Sequence, residues 1–400
     1  MFSVQSLCSA ILYYFHGRFL GLANMHDKID SAQLTLFLCG DVMTGRGVDQ
    51  ILPHPSDPTL HESYMRSALG YVALAEEASG PISKPVDFAY IWGEVLAELQ
   101  RDGPVVRIAN LETAVTTSAE YWPGKGIHYR MHPANLPCLT VARLDCCSLA
   151  NNHVLDWGYR GLLETLTGLR RANIHTAGAG VNADEAAAPA TVTVPGAGRV
   201  LVFAFGTPTS GIPLSWAAVA NQPGVNLVRS LSEMAVQSLG DQVRSLKQPG
   251  DIAVASIHWG SNWGYAIPQS QIAFAHRLID HAGIDIIHGH SSHHVRAIEV
   301  YRDRLILYGC GDFLTDYEGI HGHEQFRPDL GLLYQADLDP ASGRLVRLQM
   351  IPTQVRRLRV QRAPYADARW LHNRLNREGR QFGARVQLHP DHTLTLHWGV

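Results

Sequence analysis

Six short apolar runs, each closing on a polar residue beside Gly or Asn, constrain this chain more than any other feature. They are LTLFLCGD (34–41), PVVRIANLE (104–112), CCSLANNH (146–153), DIAVASIHWG (251–260), IDIIHGH (284–290) and RLILYGCGD (304–312). Runs of this length, rich in β-branched and aromatic residues and bounded by turn formers, predict buried strands rather than helices. Helical spacing falls between several of them, at 92–99, 161–171, 230–246 and 269–282. Strand alternating with helix implies an α/β fold with a largely parallel central sheet, in which ligands bind beyond the carboxyl ends of the strands. That rule places Asp41, Glu112, Asn152, His153, His258, His290 and Asp312 on one rim.

The 400 residues are 46% hydrophobic and 17% charged, enough for one large core or two moderate ones and without the composition of a disordered chain. A formal charge of -3 and a pI near 6.7 exclude a general electrostatic attraction to nucleic acid or acidic membrane, so an anionic ligand must be bound locally. Cys8, Cys39, Cys138, Cys146, Cys147 and Cys310 form no CxxC pair, and the adjacent pair 146–147 suits neither a zinc knuckle nor a disulfide. Buried thiols in a reducing compartment are expected. Residues 1–30 read as an N-terminal extension. Their apolar stretch 8–15 is short, lacks a preceding Lys or Arg and is soon broken by His16 and Arg18. No later segment holds the roughly 18 consecutive apolar residues of a membrane span. The expected location is cytoplasmic, with attachment at the periphery of membrane or envelope left open. A main domain over 31–343 is expected, with 344–400 supplying strands at 344–351 and 354–360, a helix at 366–379 and a closing hairpin at 386–396, packed on the same domain.

Two carboxylates, a carboxamide and three or four imidazoles on one rim form a ligand mixture suited to one or two divalent ions such as Mn, Fe or Zn. Such ions would outweigh the charge of Asp41 and Glu112, attract an anionic group such as phosphate and activate a water for in-line attack. A chain with 21 His can cluster them by chance, but strand position separates the members of HGHSSHH (288–294). His290 and His293 are the expected ligands; alternation turns His288 away from the rim and His294 opens the next segment, so both read as supports. Carboxylates after strands also cap helices, and Asn152 suits an Asx turn, but neither role requires a rim shared with histidines. Trp259, Trp263 and Tyr265 would either wall a cleft or belong to the core. Gly178-Ala-Gly180 lacks the third glycine and the acidic residue of a dinucleotide loop.

In order and spacing, GDVMTGRG (40–47), ANLET (109–113), ANNHVLDWG (150–158), HWGSNWGY (258–265), GHSSHH (289–294) and YGCGDF (308–313) resemble the CapA-type proteins of poly-γ-glutamate capsule synthesis. Within that family the chain is most similar to the branch called polyglutamine synthesis accessory proteins, in the calcineurin-like metallophosphoesterase superfamily. The resemblance runs from about Leu34 to Leu388 and implies a four-layer α/β/β/α sandwich around a dinuclear metal centre. It implies Asp41 on the first metal, Glu112 as the bridging carboxylate and Asn152 on the second metal, with His258, His290 and His293 completing the set. His153 would protonate the leaving group, with Asp156 orienting its imidazole. Arg46, Lys125 and Arg130 would bind an anion, Asn262 would face the substrate, and Asn110 and Asp312 would support the ligands.

Four of the motifs depart from the pattern. Met43 stands where the superfamily usually has a histidine. Ser291-Ser292 interrupts a turn that often reads GHHPH, Gly311-Asp312-Phe313 replaces GNF, and Asn262 stands where a Glu often follows HWG. The function implied is phosphoester hydrolysis by metal-activated hydroxide in the synthesis, transport or localisation of a poly-glutamate or polyglutamine envelope polymer. The implied partners are an anionic small molecule or polymer and a membrane polymer synthase, with no nucleic acid. Two other readings stay open: a non-catalytic accessory protein of that synthase, and a metal-dependent amidohydrolase acting on glutamyl amide bonds.

Overall fold

The computed structural model describes residues 33–399, so the expected extension over 1–30, with Cys8, lies outside the described residues. The chain has a mixed α/β architecture with two large sheets, where the strand pattern alone suggested one central sheet and the family resemblance implied two. The ten-stranded sheet runs in the order Arg385–Leu388, Leu394–His397, Arg344–Val355, Leu330–Asp339, Leu34–Val42, Val105–Leu111, Cys146–Ser148, His175–Ala177. Asp312–Leu314 pairs beside Leu34–Val42, and Val360–Arg362 beside Arg344–Val355. The six-stranded sheet runs Ile298–Tyr301, Arg304–Leu307, Ile286–His290, Ile252–His258, Gly198–Gly206, Ala190–Val194. The larger sheet is antiparallel from Arg385–Leu388 to Leu34–Val42 and parallel from there to His175–Ala177, and the smaller is parallel at its centre and antiparallel at both margins.

Side chains explain why the strands are apolar throughout. Leu34, Leu36 and Leu38 pack in one core with Val202, Val254 and Ile286 of the smaller sheet, whereas the intervening Phe37 and Cys39 belong to a second core. Successive residues of a strand point to opposite faces, and both faces here are buried, so the polar alternation of a half-exposed strand is missing. The second core joins the larger sheet to Leu162 and Leu166 of the helix Gly158–Arg171. A third joins Phe203, Phe205 and Ile257 to Val236 and Leu278, from the helices Glu233–Leu246 and Gln269–Ala282.

Local chemistry sets the helix ends. Ser232 caps Glu233–Leu246 by accepting from the Ala235 amide at 3.3 Å, three residues later than the apolar spacing suggests. Gln269–Ala282 stops at Gly283, whose φ of 76 is the left-handed C-cap conformation. The helix expected at 92–99 is instead a 3-10 turn over Tyr90–Val95 followed by Leu96–Leu99, broken at Gly93 with φ 46.

The run 304–312 divides between the sheets. Arg304–Leu307 pairs with Ile286–His290, the chain then crosses at Gly309–Gly311, and Asp312 begins a strand of the other sheet. A side chain at Gly40 would collide with the Gly311 carbonyl, so the crossing needs glycine at this approach. This crossing brings Asp312 level with Asp41. Cys39, Cys138, Cys146, Cys147 and Cys310 are free, buried thiols. No helix among the described residues is long and apolar enough to cross a membrane.

Candidate metal centre

Each sheet delivers part of one buried cluster. Asp41 is in register with Asn110 and Asp312 on the strands flanking its own, while His258 and His290 are register partners on the smaller sheet. Two ligand groupings result, and both contain Asp41. One is Asp41, His258 and His290; the other is Asp41, His293 and Asp312; within each, the donor atoms lie within 4.8 Å of one another.

Hydrogen bonds hold these groups in place. The Asn110 amide donates to Asp41 Oδ1 at 2.8 Å and to Glu112 Oε2 at 3.1 Å. Asn110 is in turn fixed through its Oδ1 by Asn151 Nδ2 at 3.0 Å. The Nδ1 atoms of His258 and His290 face each other at 2.8 Å, and Ser256 Oγ stands 3.0 Å from His290 Nε2 and 3.1 Å from His288 Nδ1. His293 Nδ1 lies 2.9 Å from Asp312 Oδ1, and its Nε2 lies 2.9 Å from Asn262 Nδ2. His258 Nε2 meets Asn152 Oδ1 at 2.9 Å.

The electrostatics suit a cation. Burial, with mutual repulsion from Asp312, raises the Asp41 carboxyl to about 7. Burial and then the charges of Asp41 and Asp312 push Glu112 well up, and burial raises Asp312. Burial holds His258 and His290 well below the usual imidazole range, leaving them neutral with lone pairs to give. His293 is raised despite burial, because Asp312 faces it. Asp312 Oδ2 is buried without a hydrogen-bond partner among the described residues. Crowded carboxylates, neutral imidazoles and an orphaned carboxylate oxygen fit a divalent metal ion.

Glu112 falls outside both groupings, so Asp41 rather than Glu112 is the carboxylate they share. Its Oε1 stands 3.9 Å from His258 Nε2 and 3.7 Å from His153 Nε2. His153 is buried beside the cluster, with Nδ1 2.6 Å from Asp156 Oδ2 and the Tyr129 ring edge-on at 4.6 Å. Burial lowers its pKa to about 4, against the pull of Asp156. Burial alone would raise Asp156, yet His153 and Lys125 leave it below the ordinary value.

The expected anion-binding trio separates. Lys125 joins the cluster, donating to the Asn152 carbonyl and to Asp156 and lying 3.4 Å from His153 Nδ1. Arg46 is instead enclosed: it pairs with Asp316 at 2.5 Å and Glu62 at 2.9 Å and stacks on Tyr71 and Tyr129. Two carboxylates already neutralise it, so it holds the protein together rather than facing a ligand. Arg130 lies over Trp157 and donates to the carbonyls of Ser118 and Asp57. Alternation does not part His288 from His290: two residues apart on one strand they share a face, their ring centres 5.2 Å apart, and His288 points into the space between the sheets with its Nε2 2.8 Å from the Cys39 carbonyl oxygen. His294 stacks on Phe326. Ser256 and Asn151 are the supports that motif reading passed over. Ser256 lies two residues before His258 on the same strand face, a periodicity that would have exposed it.

The chain belongs to the bacterial capsule synthesis protein family PGA_cap, whose sequence model matches residues 35–317. It is 53% identical over 364 residues to a probable polyglutamine synthesis accessory protein of Mycobacterium tuberculosis, covering 91% of this chain and 96% of that one. It is 27% identical over 291 residues to the capsule biosynthesis protein CapA of Bacillus anthracis, covering 72% and 61%. The PGA biosynthesis protein CapA of Bacillus subtilis is 29% identical over 208 residues, covering 52% of each.

Proposed function

We propose that this protein is a metal-dependent hydrolase serving the synthesis, transport or localisation of a poly-glutamate or polyglutamine envelope polymer, with a phosphoester as the bond cleaved. The supporting observation is the pair of ligand groupings joined through Asp41. Three cores, one between the sheets and one under the helices of each, support a four-layer α/β/β/α sandwich of the calcineurin-like kind. The main domain is taken as 31–343, with 344–400 completing it. Work at the cytoplasmic side, in association with a membrane polymer synthase, belongs to the same reading.

Asp41, His258 and His290 would hold one divalent ion and Asp41, His293 and Asp312 a second, with Asn152 and Glu112 beside His258. When bound, such ions supply positive charge for an anionic ester and lower the proton affinity of a water. The chain's own groups do the rest. Asn110 aims the two carboxylates, and Ser256 fixes the His290 ring. Asp156 holds His153 at Nδ1 and stabilises the charged ring that must form, against burial, before Nε2 can pass a proton to a departing oxygen. Lys125 balances Asp156 and adds positive charge at the same edge. Burial of nearly every participant keeps bulk water out and strengthens each of these interactions.

A second reading, a non-catalytic accessory protein, is favoured by Met43, a buried thioether where a histidine ligand would otherwise stand. Metal analysis of the purified protein, joined to assays on phosphomonoesters, phosphodiesters and glutamyl peptides, separates the two. The hydrolase reading expects metal and phosphoester turnover, both reduced in His290→Ala and Asn152→Ala. No stoichiometric metal, with the variants indistinguishable from wild type, would end it. Cleavage of glutamyl amides without phosphate turnover would replace it with the amidohydrolase alternative.

A further inference from the structure

The charge of this chain is unevenly spread. Residues 344–400 hold eleven Arg and no Lys against Asp367, Glu378 and Asp391, a net of +8, whereas the rest holds 22 basic and 33 acidic residues, a net of -11. The three carboxylates are occupied within their own surroundings: Asp367 by Arg327 at 2.9 Å, Glu378 by Arg374 at 3.1 Å and Asp391 by Thr393 Oγ1 at 2.8 Å. Arg369, Arg380 and Arg385 are exposed and form no ion pair among the described residues.

These three arginines share a groove. One cavity of about 770 Å³ lies between the helix Tyr365–Gly379 and the hairpin Arg385–Leu388 with Leu394–His397; a second of about 620 Å³ adjoins it through Arg385 and His397. Arg369, His372, Asn373 and Asn376 line it from one helix face at helical spacing, and Arg380 follows at its end. Val386, Leu388 and Pro390 contribute apolar surface, and neither cavity is lined by Asp or Glu. The same helix carries Arg374 on another face, 4.0 Å over the Tyr265 ring, whose own centre is 4.6 Å from that of His294. One helix therefore joins the groove, through Tyr265, to His294, the chain neighbour of His293.

We propose that this groove binds an extended polycarboxylate chain, guiding an anionic polyamide along the C-terminal layer. The proposal takes its polymer from the function argued above, but its site is separate from the metal cluster. Elongated shape, cations from both helix and hairpin and an apolar floor match a chain with carboxylates at short intervals along methylene-rich links. A concave groove fits a flat lipid surface poorly. Single-stranded nucleic acid calls for successive large aromatic platforms, and Tyr365 is the only Phe, Tyr or Trp in the lining, beside the smaller rings of His372, His389 and His397.

Fluorescence anisotropy of the full chain with a short fluorescein-labelled poly-γ-glutamate tests this. Wild type should bind, less tightly as salt rises. The triple variant Arg369→Gln, Arg380→Gln, Arg385→Gln should weaken binding roughly tenfold or more, while the triple Arg→Lys variant keeps most of it. Absence of binding by wild type, or equal binding by the Gln variant, would overturn the proposal. So would tighter, Arg-dependent binding of an oligonucleotide of matched charge or of phosphatidylglycerol vesicles. Metal content and hydrolysis measured on the same samples keep the two ideas apart. The Gln variant should retain its metal, and His290→Ala should still bind the polymer; loss of polymer binding in His290→Ala alone would place the polymer at the metal cluster and overturn the groove.

Discussion

Arg46 shows what a single residue does in this molecule. Its backbone adopts φ 47, its guanidinium is buried, and its two carboxylate partners are Glu62 and the distant Asp316, 270 residues further along the chain. Removing one partner of a buried ion pair leaves the other charges unpaired, so Arg46→Gln should cost about 3–5 kcal/mol in urea unfolding. A loss below about 1 kcal/mol, the range of exposed pairs, would show that the cluster is not the lock described here. Asp41, His258 and His290 were legible because each ends an apolar run. The fate of Arg46 was not, since a Gly-flanked arginine beside an aspartate reads the same whether it meets a ligand or two distant carboxylates. Glu112 likewise occupied the expected strand end, but which carboxylate both groupings share depends on the crossing that delivers Asp312.

Among the elements, that crossing is the one whose geometry leaves least room. Gly40→Ala would drive a methyl group into the Gly311 backbone. Neither backbone can yield without parting Leu34–Val42 from Asp312–Leu314, so the variant should melt well below wild type and lose metal with it; an unchanged melt would contradict this packing. The run 304–312 looked like one strand because nothing in RLILYGCGD marks a change of sheet except two glycines, which also suit an ordinary turn. A second test concerns Glu164 on the helix Gly158–Arg171. Burial opposes its ionisation, but hydrogen bonds from Thr116, Arg160 and Thr117 bring its pKa from 4.5 to about 2. Its folded value lies below its unfolded one, so the carboxylate contributes stability in full above the unfolded value and loses it as pH falls toward the folded one. Glu164→Gln should therefore unfold more easily than wild type at pH 7, and the gap should narrow steadily below pH 4.5. A gap that widened on acidification would refute the assignment.

For the molecule as a whole, strand and helix content and the rim of polar residues could be read from the residue pattern, whereas the division into two sheets was implied only by the family resemblance. Strands buried on both faces give no alternation to show which sheet they join, and Ala190–Val194 and Leu330–Asp339 fell outside the six runs altogether. The consequence for the site is that it is assembled from both sheets, with Asp41 from one and His258 and His290 from the other. That assembly makes a claim about stoichiometry. Metal per chain, measured by inductively coupled plasma mass spectrometry on wild type, Asp41→Asn, His290→Ala and Asp312→Asn, is the most direct test. Because Asp41 belongs to both groupings and the other two residues to one each, Asp41→Asn should lose all bound metal, while His290→Ala and Asp312→Asn should each lose part of it. Wild-type protein without stoichiometric metal, or an Asp41→Asn variant that keeps it, would contradict the shared centre.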